Sequence, residues 1–272
     1  MQPARANRLL FVAWATVALM SVRIVAQSGS DSRGGGPEIL EKDAYRLQGL
    51  ANDAREADGA GPLKWDPALA TAALQHCLRM AAAGRISHRY ADEAEVTDRA
   101  GEAGAHFSRI EENIAAGSTP TDPIEIHQGW MDSPGHRANL LSREVDRVGI
   151  AVVVSHGITY AVAEYARAVP FLAQAEVESA FAALLRAKGL SIRKNRNDAR
   201  AYCAQEGGSG IPEFTNPPRY RMLWQNPDTT QLPRELLDRL AADRYREVAI
   251  GSCPPHDLRG QFTSYRVAVL LY

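Results

Sequence analysis

"DRVGIAVVVSHGITYAVAEYA", residues 146–166, holds two arms rich in Val and Ile joined by Ser155-His156-Gly157. β-branched runs flanking a short turn with Gly predict an antiparallel hairpin. The segments before it read differently. Residues 36–59 predict a helix with Ile39, Leu40, Leu47 and Leu50 on one side, ended by Gly59, Gly61 and Pro62. Asp66 followed by Pro67 predicts the N-cap and first residue of a second helix, stopped by Gly84. A polar loop and a short helix lead to "FSRIEENIAAG", a strand with Phe107, Ile110 and Ile114 inward. Asp122, Pro123 and Glu125 start another helix with a capping pattern. Short strands packed by longer helices predict an α+β layered domain that ends near Val169.

A second unit spans 170–272. It opens with an amphipathic helix closed by Gly189, passes a basic loop and a short helix carrying Cys203, and crosses a Gly/Pro-rich stretch. It ends in a helix and two strands. "REVAIGS" resembles "DRVGIAV", and "SYRVAVL" resembles "TYAVAEY". The pair reads as a degenerate internal repeat, with chance likeness of two hairpins as the alternative. The second unit has nothing like "EENIA" or "SPGHRANLL".

Residues 1–26 read as a secretory signal peptide: Arg5 and Arg8, then the apolar run Leu9–Val22, then Ala26 as a cleavage position. The run is shorter than the roughly 20 residues of a spanning helix, so a membrane is met only through an uncleaved signal. Residues 27–37 form a flexible leader. The expected location is periplasmic or extracellular. The net charge of -1, with no run of one sign, offers no footprint for nucleic acid. Of the cysteines, Cys77 follows the apolar face of the second helix and reads as a buried free thiol. Cys203 and Cys253 remain to pair.

"WMDSPGHRANLL", residues 130–141, places His136 as the third residue of a helix that starts at Ser133-Pro134. The positive end of a helix disfavours imidazolium, and a neutral ring can accept a hydrogen bond or bind a metal. Neither Ser87 nor Ser133 sits in a Gly-x-Ser-x-Gly elbow, which argues against a serine nucleophile. His76, His106, His127, His156 and His256 read as surface or packing residues, and Trp130 as core.

"RISHR", "EENIA", "GWMDSPGHRANLL" and "VDRVGIAVV" occur in this order between Arg85 and Val153. Together they resemble the CAP superfamily of cysteine-rich secretory, antigen 5 and pathogenesis-related 1 proteins, in its bacterial SCP-like extracellular branch. The resemblance covers residues 38–169. It implies a three-layer α-β-α sandwich with a central antiparallel sheet and a cleft. By position, His88, Glu112 and His136 match the family's cleft residues, while Ser133 stands where animal members carry a second acid. Paired disulfides of animal and plant members are absent.

Two histidines and a carboxylate would suit a weakly held divalent metal such as zinc, with an open position. The function that follows from the resemblance is a secreted, non-catalytic binding module for a lipid, a peptide or a cell-wall fragment. A metal-dependent hydrolase using His88, His136 and Glu112 is the alternative, and a structural envelope protein is a third.

Overall fold

The computed structural model describes residues 36–205, 214, 216–253 and 262–272. The signal segment, most of the leader, much of the Gly/Pro-rich stretch and His256 lie outside them. The expected hairpin is present: β4 (Arg147–Ser155) pairs antiparallel with β5 (Ile158–Ala168). His156 and Gly157 form the turn at φ 50° and 74°, both in the left-handed region that two-residue hairpin loops require.

This hairpin is the middle of a sheet ordered β1-β4-β5-β3, where β1 is Glu38–Ile39 and β3 is Phe107–Ser118. β2 (Lys64–Trp65) pairs parallel with the start of β4. Neither two-residue strand was expected. β1 replaces the first turn of the predicted helix, so α1 begins at Glu41 and runs to Ala57, and Ile39 is exposed rather than inward.

Alternation along the strands builds two cores. Val148, Ile150, Val152, Ala161, Ala163 and Tyr165 face α1, α4 (Pro123–Asp132) and α5 (Pro134–Leu141), with Leu47, Trp130 and Leu140 packed on them. Ala151, Val153, Tyr160 and Val162 face α2 (Pro67–Ala83), meeting Ala73, Cys77 and Met80. α3 (Val96–Glu102) completes that side through Ala100, beside Phe107 and Ala166. The result is the expected α-β-α sandwich. α2 lies so close to β4 that a Cβ on Gly149 would come 2.0 Å from the Ala70 nitrogen. Only glycine fits there.

The caps divide. The Asp66 side chain accepts from the Ala68 and Leu69 N–H groups, and Asp122 accepts from Ile124. Among the described residues, the Glu125 half of the predicted capping pattern does not form, and the Ser133 hydroxyl makes no cap bond. The Ser133 carbonyl instead accepts the first α5 bond, from Arg137.

The second sheet has the order β6-β8-β9-β7: Ser191–Ile192, Glu247–Ser252, Tyr265–Leu271 and Tyr220–Asn226. β7 was not foreseen, because its mixed sequence "YRMLWQN" follows a Gly/Pro-rich stretch. α6 (Gln174–Ala187), α7 (Asn197–Cys203) and α8 (Arg234–Ala242) pack on this sheet. The plan repeats the first: a parallel two-residue strand joins the start of an antiparallel hairpin, whose second arm pairs with an edge strand.

The repeat reaches single atoms. Cys77 Sγ lies 3.3 Å from the Tyr160 carbonyl, and Cys203 Sγ lies 3.3 Å from that of Arg266. Val153 is opposite Tyr160, and the Cys253 N–H bonds the Arg266 carbonyl. Cys203 and Cys253 form a disulfide; Cys77 faces a valine in the corresponding place and is free and buried. Among the described residues no helix is long and apolar enough to cross a membrane.

Candidate functional site

β3 is the edge strand whose two faces and rim meet both helical layers. Glu112 points to the α2 and α3 side, beside Glu164 of β5 in register. Asn113 points to the other side, donates to the His136 carbonyl at 2.9 Å and accepts from Asn139 at 3.0 Å. Asn139 also donates to the Glu112 carbonyl at 3.2 Å. These bonds tie α5 to the strand and set His136 at its rim. Asn139 thus anchors α5.

His88 enters from the loop after α2. Gly84, at φ 63°, ends that helix in the left-handed conformation. The loop then folds onto His76, which is fully buried: Nε2 donates to the Ser87 carbonyl at 2.8 Å and Nδ1 lies 2.7 Å from Glu93. Tyr90 is buried beside them and bonds the Arg85 carbonyl. His76 is therefore the anchor of the loop that carries His88, a role the sequence reading missed.

The three expected residues line one cleft of about 510 Å³, with Arg89, Glu95, Val96, Ile110, Ser133 and Asn139 around them. His88 Nδ1 lies 2.8 Å from Glu112 Oε1. The other carboxylate oxygen accepts from Arg99 at 2.5 Å. Arg99 is itself buried and also holds the carbonyls of His88 and Ala94. The hydrogen bond to Glu112 raises the His88 imidazole above the ordinary histidine range, against the effect of its partial burial. Burial lowers His136, and the neighbouring His88 lowers it further. The cleft thus sets a readily protonated ring against one that stays neutral. The shift of His136 is in the direction of the neutral ring expected of it, with burial as its leading cause.

Behind Glu112 stands Glu164, fully buried, with neither carboxyl oxygen bonded among the described residues. Arg99 approaches it only to 4.0 Å, being engaged by Glu112. Burial, and then the charge of Glu112, push Glu164 well above the usual carboxylate range. Its signal was present in the sequence: one acid inside an otherwise apolar strand, "AVAEYA", has to be buried and needs an explanation.

As a direct metal set the three residues do not fit. Both Glu112 oxygens are engaged, so the carboxylate orients His88. Among the described residues no group of three His, Cys, Asp or Glu side chains could hold a metal ion.

The class of protein these features define is an α-β-α sandwich with two histidines and a strand-borne glutamate in a cleft at the sheet edge. The family model described as CAP, cysteine-rich secretory protein family, matches residues 48–165, and this part of the chain belongs to that family. The chain is 29% identical over 122 residues to the Bacillus subtilis protein YkwD, covering 45% of this chain and 47% of the relative. It is 31% identical over 115 residues to the B. subtilis membrane protein YlbC, covering 42% and 33%. The match therefore spans less than half of either relative. Among solved structures, an extracellular SCP-domain protein from Bacillus anthracis is 27% identical, covers 47% of this chain and 41% of its own, and has a TM-score of 0.42.

Proposed function

We propose that the protein is exported and that its CAP domain is a non-catalytic binding module, with the cleft between α3, β3 and α5 as the ligand site. The observation that carries this reading is the fixed, opposed pair of imidazoles. His88 is held as a donor by Glu112 and Arg99, and His136 is held neutral by burial. Such a pair offers one ring biased toward the protonated, donating form and one ring able to accept, within a concavity of about 510 Å³. That size suits a small ligand or a short stretch of a longer one. Ser133 presents a hydroxyl where a second acid would add charge, which leaves the far wall neutral.

The test uses protein purified without a histidine tag. ¹⁵N–¹H correlation spectra are recorded with a muropeptide digest, with a lysophospholipid below its micelle concentration, and with a degenerate pool of blocked pentapeptides. Shifts at His88, Ser133, His136 and Asn139 with one class, lost in His136→Ala with the fold intact, are expected. The absence of cleft shifts with all three would remove the binding reading and favour a structural envelope role. Zinc-dependent thermal stabilisation that needs both histidines, with hydrolysis of any of these probes, would install the metal hydrolase instead. Export is checked by N-terminal sequencing of secreted material, which should begin near Gln27; a full-length cytosolic form counts against it.

A further inference from the structure

The rim of the cleft is backbone. In β5 the Ala166 carbonyl accepts from Asp146 on the β4 side at 2.9 Å. Even-numbered residues of β5 therefore bond β4, and odd ones bond β3. Tyr165 is opposite Glu111, so odd residues of β3 are paired and even ones direct N–H and C=O to the open side. Much of that side is covered. The Ile114 carbonyl accepts from Trp130 Nε1 at 3.1 Å, and the Glu112 carbonyl accepts from Asn139. Beyond a bulge, the Phe107 carbonyl takes the Thr263 N–H at 2.7 Å. Between these caps, the N–H and C=O of Ile110 and the N–H of Glu112 face away from β5 by this alternation and take no turn, cap or side-chain bond among the described residues, and both residues line the cleft.

We propose that the cleft takes an extended peptide, which adds a short strand to the open edge of β3 at Ile110 and Glu112. This rests on reading the cleft as a binding site, and it names the ligand class. The edge offers donor, acceptor, donor along one line, spread over about 7 Å at the usual strand rise. An extended main chain presents the complementary row, and strand addition is a general mode of peptide capture. A lipid tail offers no such row. The walls suit the alternation of a strand: one residue would turn toward His88, Arg89 and Val96, the next toward Ser133 and His136.

The test is hydrogen exchange and chemical shift at the Ile110 and Glu112 amides, with the same pool of N-acetylated, C-amidated pentapeptides. Slowing of both amides by at least tenfold is expected. A pool with every amide N-methylated should lose the effect. So should Ile110→Pro, which deletes an edge-facing N–H and spares the bonds to β5. Should that variant not fold, the methylated pool makes the same comparison on the native protein. Peptides that shift His88 or His136 while leaving both amides unchanged would overturn strand addition and keep the binding site. Cleft shifts with muropeptide or lysolipid alone would overturn the peptide class in the same way. Protection that depends on protein concentration without peptide would assign the edge to a second copy of the chain. Silence of the cleft to all probes would overturn both readings.

Discussion

Replacing Glu164 by Gln isolates the energetics of the buried acid behind the cleft. The native state holds the Glu164 proton to a pH above the ordinary carboxylate range, because burial and the neighbouring Glu112 disfavour its charge. The unfolded chain releases that proton near pH 4.3, by reference values (about 4.3). Across the window above that point the native state binds more protons than the unfolded state, so stability falls as pH rises. Each pH unit of the window costs about 1.36 kcal/mol. A proton held over the whole span from there to pH 7 sets the upper bound of this cost, roughly 4 kcal/mol. Gln has nearly the shape of the protonated acid and does not titrate. The variant should match the native protein near pH 4 and exceed it increasingly toward pH 7. Urea unfolding of both proteins at pH 4, 5, 6 and 7 gives the difference, in which the titrations of groups distant from Glu164 cancel. A difference that does not change with pH would refute the argument. A variant less stable at pH 7 would show Glu164 ionised and paired with Arg99 across their 4.0 Å separation.

The cleft histidines should titrate on opposite sides of the ordinary value, His88 above and His136 below; two-dimensional NMR of the ring protons decides this, and Glu112→Gln should return His88 downward. Stability drawn from His88 is present below its unfolded pKa and fades as pH rises through its folded one, and the ring's exposure keeps that effect small. Replacing Cys203 and Cys253 by Ser opens a loop with a sequence separation of 50 and should cost about 4 kcal/mol in thermal or urea unfolding; a loss below about 1 kcal/mol would show that the denatured state is already constrained. Val153→Cys should form a disulfide with Cys77, as its counterpart does in the second sheet; mass spectrometry of the oxidised variant with an unchanged fold would confirm the repeat, and a persistently free thiol pair would refute the atom-level equivalence. Gly149→Ala should destabilise by more than about 3 kcal/mol, since overpacking against a backbone nitrogen cannot be relieved by a rotamer change; a neutral effect in urea unfolding would mean that α2 stands off the sheet.

Local chemistry was legible wherever one segment decides its own state. The Val/Ile hairpin, Asp66 and Asp122 as caps, the prolines after them, Gly84 as a stop and the buried Cys77 all depend on neighbours within a few positions. The order of four short pieces also carried the family and, by position, His88, Glu112 and His136. Strands of two residues left no period to read, so β1 and β2 appear only where β4 lies beside them to pair. The same limit hid the supports of the site. His76 packs on the buried face of α2, but its partner Glu93 and the Ser87 carbonyl arrive with a folded loop. Arg99 and Glu112 meet across a helix and a strand, and Glu164 joins them from the next strand. Ser133 had the sequence of a cap, yet its hydroxyl was left to the cleft because the chain turns from α4 straight into α5. Periodicity in a sequence reports which residues must leave water. Which charge then stands beside which is decided only when distant segments are brought into register, since a buried charge is settled by its partners rather than by its neighbours in the chain.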